Sequence, residues 1–462
     1  MYLLYSLAHT VGFVLLLPYF AYQVVRYGKH KAGLKQRLGW LPQSLETEQP
    51  TIWLHAVSVG EFLAALPLIR ELKSALPAHR LLVSTTTLTG QTLARTHLNG
   101  DSSLADRGAL RNAGEPRQLL GGVFYFPLDW RFSVRRVLGR IKPSAVVIIE
   151  TELWPNFLRE CHRRGIPTII ANGRISPGSH RGYRRIRRFI RQVIGDISLL
   201  IMQSQEDASR VLSLGADPAR VRVCGNLKYD ATPEDTNGYA RDANHRLAED
   251  LDRLFTLRAA PVVVAGSTAP GEEEILINAL GRVITTPGLE ATRIVIAPRH
   301  PERFDEVARL LARTGYDFVR RSEAVPAQPS RARVVLLDSI GELAALYRFA
   351  SVVFVGGSLV PRGGHNILEP AYFAKPIIVG QYTENFKQIV SDFAREGALV
   401  QIEHQTGPVN GEAMTEAVAG ELARLLSDPE TADSIGARGR SIVTRNQGAT
   451  SCTLAAITEL LP

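Results

Sequence analysis

Cysteine is scarce in this sequence. The 462 residues include three, Cys161, Cys224 and Cys452, set far apart with no Cys-x-x-Cys and no metal-ligand spacing. A structural zinc site is therefore not expected, disulfides are expected to be absent, and the globular part is expected to face the cytosol. Acidic residues are also in deficit: 45 Asp and Glu stand against 54 Lys and Arg, a net charge of +9. Such a balance implies an anionic partner, which could be nucleic acid, an acidic membrane surface or a phosphorylated substrate. No helix-turn-helix, RNP or zinc-finger pattern accompanies the charge, so no nucleic-acid partner is expected. No strand runs into G-x-G-x-x-G, which leaves a dinucleotide dehydrogenase poorly supported.

Charge is missing altogether from Tyr2 to Val25. At about 1.5 Å per residue this stretch can cross a ~30 Å hydrocarbon layer as a helix. Arg26, Lys29, Lys31, Lys35 and Arg37 follow it, which by the positive-inside rule places the remainder in the cytoplasm. No basic region precedes it, so it does not read as a cleaved signal peptide. The alternative is an apolar helix lying in the interface or packed on the body, and Pro18 and His9 keep that reading open.

What is present is a long alternation of strands and helices. At about 150 residues per domain the chain should hold two or three domains. Ile52–His55, Leu81–Ser84, Ala145–Ile149, Thr168–Ala171 and Leu199–Met202 read as strands in the first half. Pro261–Ala265, Arg293–Ala297, Val334–Leu337, Ser351–Val355 and Pro376–Val379 do so in the second. Helical stretches between them imply parallel sheets covered on both faces. Residues 99–121 lack a clear period and read as a surface insertion, and the polar, acidic shift near 230–258 reads as an interdomain connection. The expected division is 1–25 (anchor helix), 26–235, 236–258 (linker), 259–445, and a C-terminal helix over 446–462 that packs back on the first domain. A second basic region, Arg174 to Arg191, interleaves arginines with Tyr183, Ile186, Phe189 and Ile190. It is either a solvated helix with an apolar stripe or a patch facing a membrane or acceptor.

Two stretches look chemical. Gly356–Pro370 (GGSLVPRGGHNILEP) joins an apolar strand to a helix, where open α/β sheets bind ligands. Its four glycines permit close backbone approach, Asn366 is a plausible N-cap, and Glu369 about one turn later suits ribose hydroxyls. The plainer reading is a turn that merely closes a strand–helix unit. Glu61, in Ala56–Glu61 (AVSVGE), sits at a helix start above a strand end, where a carboxylate could equally be a simple helix-start residue.

Taken together these segments resemble the bacterial 3-deoxy-D-manno-octulosonic acid (Kdo) transferases, glycosyltransferases of the GT-B fold. The resemblance is carried by the apolar N-terminus, HAVSVGE (His55–Glu61), IIETELWPN (Ile148–Asn156), GNLKYD (Gly225–Asp230), APRHPER (Ala297–Arg303), the glycine loop and NFK (Asn385–Lys387). It implies two Rossmann-like α/β domains facing a central cleft, with an N-terminal membrane-anchor helix. It also implies inverting transfer of Kdo from CMP-Kdo to the lipid A precursor, lipid IVA, at the cytoplasmic face of the inner membrane, whose anionic lipids would be further partners. By residue match Glu61 is the general base, and Glu150 and Lys228 stabilise the transition state. Pro298, Arg299, Ile340, Gly341, Glu342, Asn366, Ile367, Leu368 and Glu369 form the CMP site. CMP carries one phosphate, so helix N-termini and basic side chains suffice and neither metal nor cofactor is expected; nothing resembles an Asp-x-Asp cation signature. The rival readings are a sugar-nucleotide epimerase of similar fold and a noncatalytic membrane-bound nucleotide-binding protein.

Overall fold

The computed structural model describes residues 1–27, 33–99, 119–231, 241–403 and 411–461. Most of the 99–121 stretch lies outside them. The chain forms two compact units, Met1–Ala231 with Asn446–Pro462, and Thr232–Arg445.

The first unit is built on β1 (Thr51–His55), β2 (Arg80–Thr85), β3 (Gly122–Tyr125), β4 (Ala145–Ile149), β5 (Thr168–Gly173), β6 (Leu199–Met202) and β7 (Val221–Val223). Their order is β3-β2-β1-β4-β5-β6-β7, all parallel. β1 and β4 are buried throughout. Uninterrupted apolar strands of this kind need cover on both faces, and they have it. Trp53, Phe124, Phe126 and Phe157 fill one side; Leu54, Phe62, Leu66 and Leu72 fill the other. The order reverses at β1, whose neighbours are β2 and β4, so the switch point lies between β1 and β4.

The second unit repeats the plan with β8 (Val262–Thr268), β9 (Arg293–Pro298), β10 (Phe318–Arg320), β11 (Val334–Leu336), β12 (Val352–Val355), β13 (Ile377–Val379) and β14 (Val400–Gln401), ordered β10-β11-β9-β8-β12-β13-β14. Its switch point lies between β8 and β12. Residues 241–255, inside the expected connection, instead form a helix of this unit that buries Ala248, Leu251, Leu254 and Phe255.

Two expectations change. Cys224, just after β7, is disulfide-bonded to Cys452 of the C-terminal helix Ala449–Thr458, 228 residues away in sequence. Spacing said nothing about this pair because only the return of the chain end to the first unit brings it together. The free cysteine, Cys161, is buried. Secondly, no helix among the described residues is long and apolar enough to cross a membrane. The N-terminal helix Tyr2–Tyr27 docks on the first unit instead. The Tyr2 hydroxyl donates to Asp196, the Tyr5 hydroxyl to Asp129 at 2.9 Å and the Ser6 hydroxyl to Asn156 at 3.0 Å. Leu3, Leu4, Leu7, Val11, Val14 and Leu15, on the opposite face, are at least half exposed. This division has the helical period, with polar and aromatic positions inward and aliphatic ones outward.

Candidate active site

In the first unit the site grows from the strand ends at the switch point. Ser58 caps the helix Val59–Ala75, its hydroxyl accepting from Glu61 N. The Glu61 carboxylate turns back, accepting from Val57 N at 2.7 Å and from the Ser58 hydroxyl at 3.1 Å. That is a capping box shifted by one residue, and it alone would explain the carboxylate's orientation. It does not explain the neighbours. Glu150, directly after β4, has φ 60°, a left-handed conformation uncommon outside glycine. Its carboxylate lies 3.5 Å from Lys228 Nζ. Burial pushes the Glu61 carboxyl up to about 7, with the charges of Glu150 and then Glu152 adding to the rise against the hydrogen bonds from Val57 and Ser58. A carboxylate poised near neutrality can take a proton from a hydroxyl as a bond forms to its oxygen.

Lys228 owes its place to a short 3-10 turn, Leu227–Tyr229, after β7. Leu227 N donates to Asn172 Oδ1 at 3.0 Å, and Lys228 N to Asn226 Oδ1 at 3.0 Å. Asn172, near the end of β5, is buried and is itself left-handed at φ 59°. Two non-glycine residues in that region on neighbouring strand ends mark a place where the fold holds strain, as functional sites often do.

In the second unit the glycine loop leaves β12 at the equivalent position. A side chain at Gly356 would meet the Ser267 carbonyl oxygen at 2.4 Å, so only glycine lets the two strand ends approach. The N–H groups of Gly357, Ser358 and Leu359 donate to the buried Glu272 carboxylate at 2.8, 3.0 and 2.9 Å, and Ala269 N does so at 2.8 Å. Such convergent N–H groups could otherwise hold an anion, but here Glu272 takes them. The first half of the loop is therefore structural.

In the second half the polar side chains bond among themselves and to the backbone. Asn366 Oδ1 accepts from Leu368 N at 3.0 Å and its amide donates to Glu369 at 3.2 Å. The helix it opens, Leu368–Tyr372, is one short turn capped by Ile367, one residue later than the sequence suggests. Burial raises the Glu369 carboxyl, and Asn366 and Arg299 draw it back. Burial, with the charges of Arg299 and His300, lowers His365 to about 4. Pro298 ends β9, and the Arg299 side chain beyond it is exposed with no ion pair among the described residues. Ile340 is 61% exposed and Gly341 has φ 87°. Glu342 behind them accepts from Arg321 Nε and Nη2 at 2.9 and 3.0 Å, which fixes the turn.

Among the described residues no cluster of three His, Cys, Asp or Glu side chains could hold a metal ion. One Asp-x-Asp does occur, contrary to the sequence reading: Asp250–Leu251–Asp252, on the helix Arg241–Phe255, where Arg253 and Arg258 pair with its carboxylates.

The chain is 32% identical to the 3-deoxy-D-manno-octulosonic acid transferase of Haemophilus influenzae over 429 residues, 92% of this chain and 90% of that one. It belongs to the Kdo transferase family. The transferase of Bordetella pertussis is 31% identical, covering 89% of this chain and 87% of its own length. The family profile described as 3-Deoxy-D-manno-octulosonic-acid transferase (kdotransferase) matches residues 32–231. The fold is also that of the UDP-GlcNAc 2-epimerase of Neisseria meningitidis, with a TM-score of 0.54 at 13% identity over 88% of this chain and all of that one.

For this Kdo transferase family member the three residues matched to chemistry, Glu61, Glu150 and Lys228, come together at the carboxyl ends of the strands of the first unit. The nine matched to the nucleotide lie in the second, at the end of β9 and after β9, β11 and β12. Sequence reasoning missed Glu272, Asn172 and the buried pair Glu273–Arg303 (2.6 Å). Three consecutive glutamates opening the helix Glu272–Val283 were a signal for the first. Asn172 carried none.

Proposed function

We propose that the protein is an inverting glycosyltransferase that moves Kdo from CMP-Kdo to the lipid A precursor, lipid IVA, in lipopolysaccharide core biosynthesis. The observation that carries this reading is the Glu61 carboxyl held near 7 beside the Glu150–Lys228 pair. In the transfer, an acceptor hydroxyl oxygen attacks the anomeric carbon of Kdo from the face opposite CMP. Glu61 takes the hydroxyl proton, the carbon–oxygen bond to phosphate breaks, and CMP leaves with the electron pair. Lys228, held by Glu150, supplies positive charge where negative charge gathers. Arg299 suits the single phosphate, Ile340 offers an apolar surface to the base, and Asn366 with Glu369 suits the ribose hydroxyls. This reading requires no metal, and activity is expected to survive exhaustive chelation with EDTA.

The acceptor is a lipid, and the N-terminal helix supplies an apolar face for it to approach. Arg181, Arg184, Arg185, Arg187, Arg188 and Arg191 are exposed, on helices whose Phe189 ring packs against Tyr2 and Tyr5 at 5.6 and 5.7 Å. Aliphatic side chains flanked by arginines fit the surface of an anionic membrane, with the helix lying in the interface at the cytoplasmic side. A sugar-nucleotide epimerase would share the fold but has no need of this lipid-facing surface, and a noncatalytic membrane-bound nucleotide-binding protein would keep the surface and the glycine loop but has no need of Glu61. Incubation with CMP-Kdo and lipid IVA should release CMP and yield a lipid heavier by Kdo. Neither product forming would overturn the reading.

A further inference from the structure

Lys228 is bracketed on both sides by ties to the C-terminal helix Ala449–Thr458. Before it, Cys224 is bonded to Cys452, and Gly225, at φ 97°, lies against the helix start, where an added Cβ would stand 3.4 Å from the Ala449 side chain. After it, Asp230 spends both carboxylate oxygens on the first turn of that helix, accepting from Gly448 N at 2.7 Å and from Thr450 N. These are N–H groups with no partner inside the helix, so the carboxylate gains both hydrogen bonds and the favourable end of the helix dipole. Asp230 N in turn donates to Leu227 O at 3.1 Å, closing the turn that carries Lys228. The same helix buries Ala449, Ala456 and Ile457 in the cluster that holds Phe62, next to Glu61, and Leu227, next to Lys228. One element thus backs both the base and the cation.

We propose that Asp230 is a positioning residue for this chemistry: by capping the C-terminal helix, with the Cys224–Cys452 bond as its second fastening, it fixes Lys228 against Glu150. The inference rests on the glycosyl-transfer reading above. The charged groups facing Glu61 are Glu150 and Glu152, and Lys228 answers Glu150. If the turn loosens, Lys228 no longer sits 3.5 Å from Glu150, and the repulsion that Glu150 exerts on an ionised Glu61 is less offset. Glu61 must be deprotonated to act, so the acid limb of the rate profile moves to higher pH.

The test compares pH profiles of kcat/KM for CMP-Kdo and lipid IVA in the full chain. Asp230→Ala should move the acid limb up by about half a pH unit or more, in the direction of Lys228→Met. It should lower kcat about tenfold with both KM values near the parent's. Combining the two should cost little beyond Lys228→Met alone, whereas Asp230→Asn, which keeps one acceptor, should return the limb towards the parent. A merely structural role would lower active protein without moving the limb, and that outcome, or fully multiplicative losses in the double variant, overturns the proposal. Should Asp230→Ala not fold, Asp230→Ser, whose single shorter hydroxyl cannot hold both N–H groups, weakens the same fastening, and an unmoved limb there overturns the proposal equally. A parent protein that releases no CMP would refute the glycosyl-transfer reading itself, which is a separate result from an active parent indifferent to Asp230.

Discussion

Glu150 and Lys228 face each other at 3.5 Å, each about a quarter or less exposed, from a left-handed residue after β4 and a 3-10 turn after β7. A half-buried pair at this distance is modest as a source of stability. Its importance is electrostatic. The Glu150 charge opposes the ionisation of Glu61, and the lysine is the cation beside it.

Glu61→Gln keeps the side chain's size but cannot take a proton. Transfer should fall ~10²–10⁴-fold while CMP affinity stays near the parent's. Stability gives a second readout. The folded carboxyl sits at about 7, above the ordinary value of 4.5, so its favourable contribution is complete below about 4.5 and lost as pH rises through 7. Glutamine does not titrate, so the variant should gain on the parent by roughly 1–3 kcal/mol between pH 5 and 8. Normal turnover of the variant would remove Glu61 from the mechanism.

Arg299→Ala and Glu369→Ala should each weaken CMP binding in calorimetry, by about 1–3 kcal/mol for a charge-assisted contact. Glu342→Gln should act differently, lowering thermal stability through its lost Arg321 pairing. If both first variants bind CMP as the parent does, the donor site lies elsewhere.

Glu272 accepts four backbone N–H groups from two loops and is fully buried. Glu272→Ala leaves those donors unsatisfied at about 1–3 kcal/mol each before relaxation. The second unit should melt markedly lower and lose CMP binding together with its fold. An unchanged melting curve would mean that the loop does not depend on this carboxylate.

The outward aliphatic face predicts membrane behaviour. Leu4→Asp with Leu7→Asp should reduce sedimentation with anionic vesicles and leave turnover of a detergent-dispersed acceptor near the parent's. Residual binding through the arginine-rich helices should fade as salt rises from low to physiological strength. Vesicle retention that ignores both the substitutions and salt would count against this surface.

The sequence by itself determined the alternation of strands and helices, the two α/β halves and the order of the motifs. Apolar runs such as Val352–Val355 and Ala145–Ile149 are local and can be buried in only a few ways, so their period shows in the chain. Glu61 was readable as a helix-start carboxylate for the same reason. What required the tertiary structure was long-range. The Cys224–Cys452 bond, the cap that Asp230 gives to a helix more than two hundred residues later, and the hold of Asn172 on Leu227 join positions with no sequence relation. The N-terminal helix is the intermediate case. Its apolar composition fits a span, yet Tyr2, Tyr5 and Ser6 find partners on the folded first unit, and those hydrogen bonds decide which face is left exposed. Composition measures how apolar a segment is, whereas only packing determines which side of it stays exposed.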